Sequence, residues 1–292
     1  MSAKERILHN LSRSDFVRST YGVLRGIPGV GAGVQKLVHA AMPLGTKLWI
    51  QIPNGLGKGL WIYADPRFEL GYTNGDHEPW IQELLKTELR PGDCYYDVGA
   101  HTGFFSLIAS RFIGPSGKIL AFEPDPENAD ALKANIAKNG LEQVTVVEAA
   151  VWSSPGHVTF ERASDLSNRT QGHVSSAKDA GIGRISVSAV RLDDLVFSEG
   201  HPAPRLMKMD VEGAEWEALQ GARRLLTEVQ PKLLCEAHDP AQMGQIRAYL
   251  EGFGYTVEEW KPVHLHYSDY RQLYLWAAPS QEEAAVRHGG RA

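Results

Sequence analysis

Cysteine is nearly missing from these 292 residues: Cys94 and Cys235 are the whole supply, and both fall inside apolar runs rather than in a spaced framework. That excludes a disulfide-stapled fold, and a reducing, cytoplasmic compartment is expected. Nowhere does an apolar run approach the roughly eighteen uncharged residues of a membrane span, and no leader-like apolar stretch follows the early charges. Positive charge is also short, with a formal net charge of −5. Nucleic acid is therefore not expected as the main partner, since phosphate binding normally brings a basic surface. What is there, 43% hydrophobic residues over this length, suffices for one substantial core with additions.

The charge is unevenly placed. Residues 1–47 hold seven Lys/Arg against Glu5 and Asp15. A transit peptide, a contact with an anionic membrane and a docking helix all fit such a start. The favoured reading is a solvated helix whose apolar side (Ile7, Leu8, Leu11) packs on the body or on a second copy, making a homodimer through this extension. Residues 1–45 read as one or two helices broken by the glycine-rich run Gly26 to Gly33. Two strand-like runs between Leu48 and Tyr63 flank Asn54-Gly55, a strong short-range hairpin signal. A helix from Glu78 to Leu89 leads through Pro91-Gly92 into the core. Residues 1–90 are thus expected to form a helical and hairpin cap, 91–280 the main domain, and 281–292 a polar tail.

From Cys94 onward strand and helix alternate, as a mostly parallel sheet with helices on both faces requires. The expected strands are Cys94–Val98, Ile119–Phe122, Val144–Val147, Leu206–Met209, Lys232–Cys235, Thr256–Trp260 and Leu273–Trp276, seven in all. The helix Pro126–Asn139 is bounded by Asp125 as N-cap, Pro126 in the first turn and Gly140 past the end. Between Trp152 and Arg191 short alternating runs, His157–Glu161 and Ile185–Val190, surround a polar loop from Arg162 to Arg184. Such a loop is either an acceptor-selecting lid or a tolerated insertion.

The turn after the first core strand reads Asp97-Val98-Gly99-Ala100-His101-Thr102-Gly103. A dinucleotide site needs Gly-x-Gly-x-x-Gly so that the backbone can approach a pyrophosphate. Here only the first glycine of that pattern is present, and Asp97 would repel a pyrophosphate. S-adenosylmethionine has no phosphate and carries an ammonium and a sulfonium, so the turn favours it over NAD. Asp97 is the candidate for the ammonium, Gly99, Ala100, His101 and Gly103 for close backbone approach, and Glu123, at the end of the next strand, for the ribose hydroxyls. Adenine is expected between Phe122, Pro124 and the segment Glu148-Ala149-Ala150, with Glu148 on its exocyclic amine; an exposed strand-end acid is the equal alternative for Glu148.

These residues, with Phe122-Glu123-Pro124, Arg191-Leu192-Asp193-Asp194-Leu195 and above all Lys208-Met209-Asp210-Val211-Glu212-Gly213-Ala214-Glu215, resemble the FkbM family of methyltransferases over roughly residues 56–278. The resemblance implies a class I, Rossmann-like fold that uses S-adenosylmethionine to methylate a hydroxyl of a sugar or secondary metabolite. Gly75 to Trp80 also resembles a family segment; Glu78 would reach the cofactor or the acceptor there, or else serve as the first-turn acid of its helix.

Methyl transfer from a sulfonium is an in-line displacement, so a catalytic base must stand at the strand ends that face the methyl group. Asp210, Glu236 and His238 occupy those ends. Asp210 is the candidate base or ligand to a divalent ion, and Asp210 with Glu236 and an acceptor diol would suit Mg²⁺. Glu212 reads better as a helix cap. His238 has the right titration range for a base but equally reads as a hydrogen-bonded edge residue. Trp80, Trp152, Trp260 and His264 to Tyr267 are candidates for a sugar-stacking surface, or plain core. The alternatives to a small-molecule O-methyltransferase are an RNA or protein methyltransferase on the same fold, against which the acidic body and the lack of an Asn/Asp-Pro-Pro-Tyr motif count, and a catalytically silent cofactor-binding partner subunit.

Overall fold

A computed structural model describes residues 46–66, 69–162, 173–175, 183–238, 240–260 and 273–280, with Gly33 alone before them. The expected N-terminal helices, the polar tail and the aromatic segment His264 to Tyr267 lie outside the described residues.

The centre is a seven-stranded sheet. Chain order gives β1 (Leu48–Gln51), β2 (Trp61–Ala64), α1 (Leu70–Asn74), α2 (Pro79–Glu88), β3 (Cys94–Val98), α3 (Phe104–Ile113), β4 (Lys118–Phe122), α4 (Pro126–Asn139) and β5 (Val144–Val147). There follow β6 (Ala150–Val151), β7 (Gly156–Glu161), β8 (His173–Ser175), β9 (Arg184–Val190), α5 (Leu192–Phe197), β10 (Leu206–Met209), α6 (Glu215–Gln220), a π-helical turn (Leu225–Val229), β11 (Lys232–Ala237), α7 (Pro240–Glu251), β12 (Tyr255–Trp260) and β13 (Leu273–Pro279). The sheet order is β12-β13-β11-β10-β3-β4-β5. β11, β10, β3, β4 and β5 run parallel, and β13 is antiparallel to both β11 and β12. Six of the seven strands fall within two residues of their expected bounds, and β13 runs three residues past Trp276, to Pro279. They read clearly because β3, β10 and β11 are buried on both faces and therefore nearly continuous apolar runs.

The chain builds outward from β3 to β5 and then returns to place β10 on the other side of β3. That reversal between β3 and β10 is where an open α/β sheet leaves a crevice for a ligand. Two apolar layers cover the sheet. One packs β1, β2, α2 and α3 against Tyr95, Leu206, Leu234 and Tyr274. The other packs α5, α6 and α7 against Tyr96, Met207, Met209 and Cys235. Tyr95 and Tyr96 therefore point to opposite faces, as the strand period of two demands. The N-cap Asp125 accepts from the Glu127 amide, and Gly140 ends α4 at φ 66°.

Two expectations are corrected. Asn54-Gly55 does not form a tight two-residue hairpin turn: the ladder of β1 and β2 closes at Gln51 and Trp61, leaving a nine-residue connection. Gly55 sits at φ 68°, and a Cβ there would lie 2.0 Å from the Gly75 carbonyl oxygen, so the glycine serves a backbone crossing. The Arg162 to Arg184 stretch is not wholly loop either, since β8 lies inside it and pairs with β7. Together with β6 and β9 these make a separate four-stranded sheet in the order β6-β9-β7-β8. No helix among the described residues is long and apolar enough to cross a membrane.

Candidate active site

The turn after β3 is held in place from three sides. The Gly99 and Ala100 amides both donate to the Phe122 carbonyl at the end of β4. The His101 amide donates to Glu123 Oε2 at 2.8 Å, with His101 at φ 52°. Gly99 is at φ 82°, and a Cβ on it would lie 1.8 Å from the Asp210 carbonyl oxygen. No side chain fits there, so the β3 and β10 turns touch through backbone alone. Gly103 likewise stands where a Cβ would meet Leu132 Cδ1 at 2.2 Å, which lets α3 approach α4.

One face of the sheet carries the polar residues. Register pairs Asp97 with Lys208 and Met209 with Cys235, so Asp97, Lys208, Asp210, Glu236 and His238 fall on the same side and Asp210 is level with Glu236. Asp97 is fully buried. Its Oδ2 accepts from the Ser106 hydroxyl at 2.6 Å, while Oδ1 makes no aligned hydrogen bond although the Tyr95 hydroxyl stands beside it. Burial pushes its carboxyl above the usual range, against the pull of Lys208.

Lys208, 4% exposed, places Nζ 3.0 Å from Asp210 Oδ2 and 5.2 Å from the centre of the Phe105 ring. Burial opposes its charge, but Asp210, Asp97 and Glu78 together hold the ammonium protonated. Burial likewise disfavours the Asp210 anion, and Lys208 and His238 overcome it, so that carboxyl lies below its ordinary range.

His238 is the hub. Its Nδ1 is 2.8 Å from Oε1 of the fully buried Glu215, and its Nε2 faces Glu212 at 3.3 Å, Glu236 at 3.4 Å and Asp210 at 3.6 Å. Burial would lower the imidazole; the Glu215 bond and the surrounding carboxylates raise it to about 9. Glu236 is buried and driven well above the usual carboxylate range by that burial and by Asp210 and Glu78. Glu78 reaches the same face from the start of α2. Its backbone is left-handed at φ 40°, and its Oε1 accepts from the Tyr274 hydroxyl. Backbone strain of this kind collects at functional sites. Burial also raises the Glu78 carboxyl, to about 7.

The expected residues thus divide. Asp97, Asp210, Glu236, His238 and Glu78 gather on one face, and Gly99, Ala100, His101, Gly103 and Glu123 form the turn beside them. Pro124 follows Glu123, and Ala150 is buried in β6. Glu148 is half-exposed and ion-paired with Lys133 at 2.7 Å. Trp80 and Trp260 pack edge-on against Tyr274. Sequence reasoning gave no role to Lys208, Glu215, Tyr274 or His77, a partly exposed imidazole lowered to about 4 chiefly by desolvation. Only Lys208 left a signal, as a charge inside the apolar strand Leu206-Met207-Lys208-Met209.

Glu123 supports a pH prediction. Its two oxygens accept from the His101 and Asp125 amides, yet burial still lifts the carboxyl from 4.5 to about 7. The folded state therefore holds this proton more tightly than the unfolded chain. Its stabilising contribution is complete below about pH 4.5 and is lost as pH rises through about 7. Between pH 5 and 8, the melting temperature of the ligand-free protein should fall more steeply for wild type than for Glu123→Gln. Parallel curves would remove Glu123 from this balance.

Known proteins resemble this chain over about half its length or more. The model of the methyltransferase FkbM domain matches residues 97–257. The chain is 30% identical to the 31-O-demethyl-FK506 methyltransferase FkbM of Streptomyces tacrolimicus, over 58% of this chain and 75% of the relative. It is 32% identical to the hexuronic acid methyltransferase AglP of Haloferax volcanii, over 51% of this chain and 58% of the relative. With the 2-O-methyltransferase NoeI of Sinorhizobium fredii it shares 28% identity over 51% of this chain and 65% of that one. Among solved structures, the methyltransferase FkbM of Methylobacillus flagellatus KT aligns at 16% identity and TM-score 0.47, covering 86% of this chain and 72% of the other.

Proposed function

We propose that this chain, which belongs to the FkbM family of S-adenosylmethionine-dependent methyltransferases, methylates a hydroxyl of a sugar or glycosylated metabolite. The observation that carries the reading is the alignment of Asp210, Glu236 and His238 at the carboxyl ends of β10 and β11, level with the Gly99 turn and on the Asp97 face. The names of three relatives, which act on a demethylated FK506, on a hexuronic acid and as a 2-O-methyltransferase, favour an oxygen acceptor.

The residues fit the cofactor. The buried Asp97 has a carboxylate oxygen without an aligned donor, which suits an ammonium. Gly99, Ala100, His101 and Gly103 offer backbone rather than bulk, Glu123 can take ribose hydroxyls, and Pro124, Ala150 and Glu148 lie on the adenine side, with Glu78 approaching from the front. The cofactor supplies an electrophilic methyl group; the protein supplies alignment and a place for the proton. Asp210, kept ionised by Lys208, accepts the hydrogen of the acceptor hydroxyl, and Glu236 and His238 share its proton load. The aromatic layer of partly buried Tyr72 and buried Phe104 and Phe105 shields the front from water. Dimerisation through residues 1–45 belongs to the same proposal, and sedimentation of a chain lacking them would test it.

The primary test is production of S-adenosylhomocysteine with a panel of uronic acids, glycosides and hydroxylated macrolides. Methylation of nitrogen, or of none of these hydroxyls while RNA or protein is methylated, would overturn the reading. Asp97→Asn should weaken S-adenosylmethionine binding by about 1.5–3 kcal/mol, the contribution of a charged hydrogen bond. Unchanged affinity by calorimetry would remove Asp97 from the cofactor site.

A further inference from the structure

We infer that Asp210, Glu236 and His238 form a site for one divalent cation of the Mg²⁺ or Mn²⁺ type, through which an acceptor with two adjacent hydroxyls is held. The inference rests on the acceptor site proposed above. One carboxylate oxygen of Asp210, one of Glu236 and a ring nitrogen of His238 all lie within 4.8 Å of one another. Nε2 is 3.4 Å from Glu236 Oε1 and 3.6 Å from Asp210 Oδ1. Neighbouring ligands of an octahedral ion with bonds of about 2.1 Å stand about 3 Å apart, so the two contacts to Nε2 are roughly half an ångström wider than a bound ion would set them.

Proximity of acids alone would not point to a ligand; three further observations do. Glu236 is 3% exposed and its Oε1 has no hydrogen-bond donor, only His238 Nε2 at 3.4 Å, so a buried carboxylate oxygen faces the ring without a hydrogen bond. His238 is oriented from behind: Glu215, fully buried, sits at Nδ1 and also accepts from the Gly213 amide at 3.1 Å. A carboxylate on one imidazole nitrogen fixes the tautomer that presents the other nitrogen's lone pair, the usual arrangement behind a metal-bound histidine. Lys208, finally, occupies Asp210 Oδ2 and leaves Oδ1 toward His238, which makes Asp210 a one-oxygen ligand.

Three protein ligands leave three positions of an octahedron for oxygen. Two adjacent hydroxyls of a sugar ring fill two of them, and the cation acidifies the hydroxyl that is to be methylated; its proton passes to Glu212, whose carboxylate stands 3.3 Å from His238 Nε2 outside the ligand set, in place of Asp210 Oδ1, which the ion occupies. The site thereby narrows the acceptor class from any hydroxyl to a vicinal diol or hydroxy acid.

The experiment is titration of chelator-stripped full-length protein with Mn²⁺, read by the loss of the free-ion electron paramagnetic resonance signal. Wild type should bind one ion per chain, and Glu236→Gln and Asp210→Asn should each weaken binding at least tenfold. Glu215→Gln should weaken it about 10- to 100-fold without touching the ion. Circular dichroism identifies any variant that fails to fold, and the other variants then carry the test. No stoichiometric Mn²⁺, or binding that survives both Glu236→Gln and Asp210→Asn, overturns the cation site. Methyl transfer to a hydroxyl that persists in chelator, with no Mn²⁺ bound, overturns this inference and leaves the proposed function standing. One tightly bound Mn²⁺ with no hydroxyl methylated does the reverse.

Discussion

Lys208→Met is expected to destabilise the ligand-free protein by about 3–5 kcal/mol, the usual cost of removing one partner from a buried ion pair. Methionine matches the length of the stem, so little of the loss is packing. The charge is what disappears: Lys208 Nζ is 3.0 Å from Asp210 Oδ2 and stands in register with the buried Asp97, and both carboxylates would face the same apolar layer without it. In the variant each acid titrates higher when folded than when unfolded. The deficit should therefore be small near pH 4 and grow as pH rises toward 8. S-adenosylmethionine should raise the melting temperature of Lys208→Met more than that of wild type, because it returns positive charge beside Asp97. Urea unfolding at pH 5 and pH 8 measures the deficit, and equal stability of the two proteins at pH 8 would show that Lys208 is not the counter-ion of this face.

That lysine also marks the limit of what the sequence discloses. The central strands were legible because most are short, largely apolar runs beside glycine or proline signals, and α4 because Asp125, Pro126 and Gly140 punctuate it in order. The cofactor turn was legible because its chemistry is local: Asp97, Gly99 and Gly103 lie within seven residues, and Glu123 one strand away. The rest depends on pairing across the chain. Tyr274 meets Glu78 over 196 positions, and no periodicity links them. Glu215 meets His238 only because α6 and the end of β11 lie side by side; from sequence alone Glu215 is one more acid at a helix start. The period of two says that Asp97 and Tyr95 share a face, but only the strand register shows that Lys208 and Glu236 share it too. The long hairpin connection is a similar case. Asn54-Gly55 has the local chemistry of a tight turn, and the demand for a backbone crossing at Gly75 overrode it.

Asp210→Asn should keep the fold and S-adenosylmethionine binding and lose about 10²-fold or more in kcat. The side chain is nearly isosteric, and its amide oxygen can still accept from Lys208, so the β10 end should stay in place. What it loses is the negative charge that takes up the hydroxyl hydrogen, an interaction needed only as the acceptor oxygen attacks. Kinetics should show this division: a large fall in kcat, cofactor affinity within about threefold of wild type, and no rescue at saturating S-adenosylmethionine. Glu123→Ala should do the opposite, weakening cofactor binding while saturation restores much of the rate, because a ribose contact lies away from the reacting oxygen. The pair of variants separates the turn after β3 from the ends of β10 and β11. Full activity of Asp210→Asn on the true acceptor would remove this carboxylate from proton transfer, and His238, oriented by Glu215 with Nε2 toward the same space, would then be the group that receives the proton.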